Sequence, residues 1–380
     1  MSVEAAVERL EFRDPKRAHT LTQLLGALCR EIGKPVSVMH VCGTHEQSIA
    51  RFGLRSLLPK ELTVLMGPGC PVCVTDMPEV DEAVALARQG MIVATFGDMF
   101  RVPGTAYSLA EAKAEGADVR VIYSPFEALK LAQGTEKQVV FFATGFETTA
   151  VATAALVLAQ PPENLTILSA PKYIPPVMEI VAEMPQTHVQ GFLAAGHAAT
   201  ITGWRIFERF VARHHIPVVT AGFEPLDILA ALSELVRLIR AGEERVINAY
   251  PRCVTPDGNR QAQKLLWEAF ETEGGNWRGI AHVPNGNLRL RRKYAWADAR
   301  CRFDIDLSSL LDEAPPRLTQ ECICGNIMAG IASPYDCRLF AKECTPHNPV
   351  GACMVSNEGN CKIWHEYGGH VVVRERGDDR

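Results

Sequence analysis

Half of the twelve cysteines fall between residues 322 and 361, in the run ECICGNIMAGIASPYDCRLFAKECTPHNPVGACMVSNEGNC. Cys322, Cys324, Cys337, Cys344, Cys353 and Cys361 form a soft-donor set, and the two occupants that suit it are structural zinc and an iron-sulfur cluster. Zinc usually takes C-x2-C knuckles, each giving two thiolates to one side of a tetrahedron. No such pair stands in this segment. The thiols are dispersed among Gly325, Gly351, Gly359, Pro334, Pro346 and Pro349, as suits loops converging on a larger cluster. An iron-sulfur site is therefore favoured over zinc and over unliganded core cysteines. Any four-ligand site leaves two thiols over, and Cys322 and Cys353 are then redox partners of the cluster or inert packing.

A second group of thiols lies near the start of the chain. Cys42-Gly43-Thr44-His45-Glu46 follows an apolar, strand-like run. A thiol there sits at the N-terminus of the next helix, where the helix dipole favours thiolate. His45 and Glu46 are candidate proton carriers, or a ligand and its supporting partner. The alternative is a buried cysteine in a tight turn. One strand further on comes Gly67-Pro68-Gly69-Cys70-Pro71-Val72-Cys73. A C-P-x-C pair can close a disulfide or chelate a metal, with a zinc knuckle as the plain alternative. If both strands belong to one parallel sheet, Cys42, Cys70 and Cys73 share its C-terminal rim, where open α/β folds bind ligands. Further polar turns fall on the same rim: Gly97-Asp98 with Arg101, Thr144-Gly145-Phe146-Glu147-Thr148-Thr149, Gly196-His197 and Gly222-Phe223-Glu224-Pro225. Helix capping accounts for most of their Thr and Asp residues. None matches a Walker or dinucleotide fingerprint.

The elements that must carry these turns are apolar runs alternating with helical patterns: PVSVMHV, LTVLM, MIVATF and DVRVIY, then QVVFFAT, LTILSA, GFLAAG and PVVTAG. Their regular spacing, about 25 residues, is one strand-helix unit, and the alternation predicts right-handed crossovers and parallel sheets. The second set of four echoes the first. The expectation is an α/β protein with two similar Rossmann-like parallel-sheet domains, residues 35–130 and 135–245, plus a small iron-sulfur domain over 250–380. Residues 1–34 are expected to be a helical segment packing on that third domain. Cys29, Cys253 and Cys301 are expected in the core.

With 380 residues, more than one core is expected. A net charge of −5 gives no basic field for nucleic acid or an anionic membrane. No apolar run approaches the roughly 20 residues that span a bilayer, and the N-terminus lacks a secretory pattern. A cytoplasmic protein is expected, and there so many cysteines point to ligands and redox groups rather than a disulfide framework.

Taken in order, CGTHE (42–46), GPGCPVC (67–73), TFGDMFRVPG (95–104), TGFETTA (144–150), GFEPLDIL (222–229) and the tail CG...DCRLF...CTP...MVSNEGNC resemble the HypD family of hydrogenase maturation factors along nearly the whole chain. The resemblance implies a metallocofactor assembly scaffold with redox activity, on which the Fe(CN)2CO unit of nickel-iron hydrogenases is put together. The implied partners are a HypC-type small chaperone, a HypE-type cyanide donor and, indirectly, the hydrogenase large-subunit precursor; no nucleic acid or membrane is implied. It further implies that Cys42 holds transient Fe(II) carrying CN and CO together with a partner thiol, and that Cys70 and Cys73 are a redox pair. Cys324, Cys337, Cys344 and Cys361 would hold a 4Fe-4S cluster, in surroundings like those of ferredoxin:thioredoxin reductase. Two turns depart from the family pattern, GHAATITG around His197 and HVPNGNLRL around Asn285. From the residues alone, a cluster-dependent thiol-disulfide oxidoreductase acting on a protein substrate is the rival, and a zinc-stabilised binding protein a second.

Overall fold

The computed structural model describes residues 12–312 and 318–369. The first eleven residues of the expected N-terminal segment and residues 370–380 of the expected third domain lie outside them. All eight apolar runs form strands, in two parallel sheets. One contains β1 (Val36–His40), β2 (Leu62–Met66), β7 (Gly191–Ala195), β8 (Val218–Ala221) and a short β9 (Val246–Asn248), in the order β2-β1-β7-β8-β9. The other contains β3 (Ile92–Phe96), β4 (Val119–Ile122), β5 (Val139–Ala143) and β6 (Leu165–Ser169), in the order β4-β3-β5-β6. β5, β6 and β7 are buried along their full length, as expected of parallel strands covered on both faces.

The strand pairing does not follow the contiguous division at 130–135. β1 pairs with β7 through Val38↔Gly191, and β3 with β5 through Ile92↔Val139, so each sheet takes strands from both halves of the chain. The chain leaves the first sheet after β2, through helices Pro71–Val74 and Met77–Arg88, and returns after β6 through helix Ile174–Ala182. A strand-helix unit of fixed length reaches a neighbouring sheet as readily as the next place in its own, so periodicity alone does not assign strands to sheets.

The N-terminal helix Pro15–Ile32 starts at Asp14, whose side chain accepts from the N–H of Lys16 at 2.8 Å, and ends at Gly33 with φ +69°. Its apolar stripe, Leu25, Leu28 and Cys29, does not pack on the C-terminal domain. It joins Leu229, Leu232, Leu235 and Val236 of helix Pro225–Ala241 in the core of the first sheet, because burying that stripe against a second apolar helix removes most area from water. Cys29 is thus in the core as expected. Cys253 and Cys301 are exposed, since one lies in a surface turn and the other on the outer side of the single-turn helix Ala299–Arg302, whose inward residue is Ala299.

An antiparallel hairpin, β10 (Phe270–Trp277) and β11 (Ala281–Leu290), follows. Asn285 occupies a positive-φ position in it (φ 56°). The hairpin lies against the second sheet. Ser169 Oγ at the end of β6 donates to Leu288 O at 2.8 Å, and the buried Lys172 bridges Glu79 (3.0 and 2.8 Å) and Asn287 (3.1 Å). The remaining C-terminal segment consists of turns and short helices around the cysteines. Among the described residues no helix is long and apolar enough to cross a membrane.

Candidate functional site

Cys42 ends the extension of β1 and is the N-cap of helix Gly43–Arg51. Gly69 lies directly against it. Gly43 N–H donates to Gly69 O at 3.0 Å, and a Cβ on Gly69 would fall 2.0 Å from Cys42 N. Only glycine permits this approach, and it sets Cys70, the next residue, beside Cys42 on one rim. Cys70 and Cys73 are joined by a disulfide across the start of helix Pro71–Val74, with their Cα atoms 5.3 Å apart. The expected gathering of three sulfurs at the ends of adjacent strands is present.

The expected activation of Cys42 by its helix is reversed. Burial, reinforced by the Glu358 carboxylate, pushes its pKa up to about 12, against the N–H groups of His45 and Thr44. Desolvation of a thiolate outweighs a helix N-terminus when no cation is near. The Cys42 Sγ lies 3.8 Å from Nδ1 of His197, at the end of β7. Burial lowers the His197 pKa, with Glu358 and Glu147 opposing. Glu147 is itself buried, donorless at Oε2, and raised to about 7 by burial, while its Oε1 accepts from Ile174 N–H at 2.9 Å.

His45 and Glu46 turn inward. His45 Nε2–H donates to Gly222 O at 3.0 Å, its ring stacks on Phe223 with centroids 4.9 Å apart, and burial holds its pKa near 3, so it is neutral. Its Nδ1 has no hydrogen-bond partner among the described residues. Glu46 is fully buried and accepts from Arg55 Nη2 (2.6 Å), His40 Nε2 (2.9 Å) and Trp364 Nε1 (2.7 Å). Burial alone would raise its pKa, but Arg55 and these bonds hold it near 2. An anion pinned this way ties helix Gly43–Arg51 to the C-terminal helix Asn360–Tyr367 and is a poor proton carrier.

A cavity of about 340 Å³ opens between the two sheets, and Cys42, itself buried, reaches it through His197, which is part of its lining. Thr44, Pro71, His197 and Phe223 line it from the first sheet and the turn that leaves it, and Gly145, Phe146, Thr148 and Thr149 from the second. Glu358 closes it from the C-terminal segment and accepts from Thr44 Oγ1 at 2.8 Å. Glu358 is the residue that the sequence did not single out, although it stands three places before Cys361. The turn after β3 serves elsewhere: Asp98 accepts from Ser356 Oγ at 2.9 Å, and Arg101 donates to Pro346 O (3.0 Å) and His347 O (2.6 Å), anchoring the cysteine segment. Glu224 pairs with Arg13 at 2.6 Å.

All six C-terminal cysteines ring one cavity, with Ile327, Leu339, Phe340 and Met354 as apolar walls. Cys322 and Cys353, the two thiols beyond the four expected ligands, line the same cavity as the other four. Among the described residues no three His, Cys, Asp or Glu side chains form a group that could hold a single metal ion. The ring does fit a polynuclear cluster on three counts. Its donors are soft, Val350 N–H points to Cys344 Sγ at 3.4 Å, and Gly351 leaves open the space where a Cβ would come 2.6 Å from Cys322 Sγ. Without metal, the neighbouring Cys324 thiol and burial raise the Cys322 pKa, and burial raises that of Cys344, so these two keep their protons. Metal binding therefore releases protons.

The two sulfur centres share one strip of chain. Gly359 packs on the Cys353 carbonyl, where a Cβ would come to 2.2 Å, and Gly43 packs on the Glu358 carbonyl, at 2.4 Å from a Cβ. Residues 353–361 thus touch the thiol ring at both ends and the Cys42 helix in the middle.

A sequence profile described as "HypD: Hydrogenase formation hypA family" matches residues 16–368. The chain is 42% identical over 347 residues to a putative hydrogenase expression/formation protein of Methanocaldococcus jannaschii, covering 90% of this chain and 95% of that one. It is 40% identical over 371 residues to the hydrogenase maturation factor HypD of Cupriavidus necator, and 41% identical over 371 residues to that of Azotobacter vinelandii, each alignment covering 94% of this chain and 96% of the relative.

Proposed function

From the premise that the chain belongs to the HypD family of hydrogenase maturation factors, we propose that it is the scaffold on which the Fe(CN)2CO unit of nickel-iron hydrogenases is assembled. Ferrous iron is the cargo. Cys42 is one thiolate donor to it, and a cysteine of a HypC-type chaperone is the other. A HypE-type partner donates cyanide, and the finished unit travels with the chaperone to the hydrogenase large-subunit precursor.

The observation that supports this most is the setting of Cys42: a buried thiol 3.8 Å from the imidazole of His197, which lines an inter-sheet cavity, and backed by the Cys70–Cys73 disulfide turn. Low-spin ferrous iron with strong-field diatomic ligands takes soft thiolates. The Cys42 thiol keeps its proton until a cation arrives, because coordination deprotonates a thiol outright. His197 Nδ1 is placed to take that proton. Phe223, stacked on His45 and tilted against His197, packs on both rings.

Cys324, Cys337, Cys344 and Cys361 would hold a 4Fe-4S cluster, which when bound supplies electrons singly. Cys322 and Cys353 stay in the ring as neighbours of the ligands. The Cys70–Cys73 disulfide supports a second reading, a thiol-disulfide oxidoreductase acting on a protein substrate. Anaerobic co-purification with the chaperone separates the two. The scaffold requires cyanide and carbon monoxide infrared bands on the complex that are lost in Cys42→Ala and retained in a control such as Cys253→Ala. Bands that persist in Cys42→Ala would refute the role of Cys42.

A further inference from the structure

The tip of the β10–β11 hairpin, Trp277-Arg278-Gly279-Ile280, is wedged between the dithiol turn and the thiol ring. On one side Arg278 N–H donates to Val74 O at 3.0 Å, one residue past Cys73. On the other, Gly279 (φ +69°) lies flat on Gly325, the neighbour of Cys324, so that a Cβ on Gly325 would meet Gly279 O at 1.9 Å. The guanidinium this clamps in place is 5% exposed. Its Nη2 donates to Pro103 O at 2.5 Å, and its Nη1 is buried with no hydrogen-bond partner among the described residues. The Arg278 charge acts on two nearby acids, Asp76 and Asp81, each of which accepts from a backbone N–H. Asp76 accepts from Met77 N–H at 3.0 Å and Asp81 from Thr105 N–H at 2.9 Å. The Arg278 charge also acts on Cys322 and Cys324, in the direction that favours negative charge there.

We propose that Arg278 is an electrostatic positioning residue of the thiol-ring centre, a buried cation at its Cys322–Cys324 edge that offsets the negative charge of ligating thiolates and of an added electron, and so raises the centre's reduction potential. The inference rests on reading the ring as an iron-sulfur site. Burying a guanidinium costs several kcal/mol unless an anion faces it. Here Nη1 has no hydrogen-bond partner among the described residues, and the Cys322 and Cys324 thiols are the soft groups on which the Arg278 charge acts.

The test uses the full chain and its Arg278→Gln and Arg278→Lys variants, reconstituted anaerobically with ferrous iron and sulfide. Iron and sulfide content are measured, and the reduction potential is titrated by EPR. The expectation is equal iron content and a lower potential in Arg278→Gln, by at least the equivalent of a tenfold change in equilibrium constant, about 59 mV for one electron. Arg278→Lys, which keeps the charge, stays within half that shift. Loss of iron in Arg278→Gln but not in Arg278→Lys supports the same role more strongly. Coincident potentials in the Gln variant and the parent, potentials equally low in Lys and Gln, or loss of iron from both variants would overturn it. If the parent itself takes up no iron and sulfide, the iron-sulfur reading fails as well, so the two failures are distinct.

Discussion

Replacing Glu46 by Gln keeps the shape of the side chain and removes the charge that three donors converge on. The carboxylate is fully buried, its ordinary pKa of 4.5 falls to about 2, and the causes that win over burial are the Arg55 charge and the bonds from His40 and Trp364. At about 1.4 kcal/mol per pH unit, that difference is worth about 3 kcal/mol to the folded state. The cost of breaking a buried ion pair by removing one partner, about 3–5 kcal/mol, agrees with it. Because folding holds this pKa below the unfolded value, the contribution is fully present above pH 4.5 and is lost as the pH falls through about 2. Urea unfolding followed by tryptophan fluorescence, at a series of pH values, is the assay; Trp364 reports directly, since its indole N–H bonds Glu46. Glu46→Gln is expected to unfold about 3 kcal/mol more easily than the parent from pH 5 to 8 with an unchanged m-value, and the gap is expected to close below pH 4.5. A gap under about 1 kcal/mol at pH 7, or one that widens on acidification, would refute the assignment of Glu46 as an ionised tie between its helix and the C-terminal helix.

Glu358→Gln removes the carboxylate that adds to burial in raising the Cys42 pKa. In the iron-free protein the pH profile of Cys42 alkylation is expected to move down from about 12 without reaching an ordinary thiol's value, because burial remains; an unmoved profile contradicts the assigned field. Lys172→Met strands the buried Glu79 and is expected to cost about 3–5 kcal/mol in chemical denaturation, with Glu79→Leu in the same chain restoring most of it. Additive losses from the two substitutions would show that the pair does not act as one.

Of the eight strands legible in the sequence, β5 to β8 are buried throughout, because a parallel strand under helices reads as an unbroken apolar run such as Val139–Ala143, and the edge strands β2 and β4 keep enough apolar residues to read the same way. β9, three half-buried residues, and the hairpin strands Phe270–Trp277 and Ala281–Leu290 were not legible. EGGN and PNGN carry turn residues where the ladder is kinked by a bulge at Glu273/Gly275. The neighbourhood of Cys42, Cys70 and Cys73 followed from their places after β1 and β2, which do pair. Glu358 and Arg278 were hidden because what gives them a role is distant in the chain: Thr44 in one case and the Cys324–Gly325 turn in the other. The ionisation of Cys42 was misjudged for the same reason. A helix start is visible in sequence, whereas complete desolvation and a carboxylate from the far end of the chain are not.

The chain passes between the sheets twice, after β2 and again after β6. Neither lobe is therefore a separable cassette. A fragment ending near residue 130 would own two strands of each sheet and complete neither, so the lobes must mature together. The same double stitching gives the cavity beside Cys42 two covalent tethers between its walls. Rocking one lobe against the other would widen or narrow the cavity's mouth without unthreading either wall.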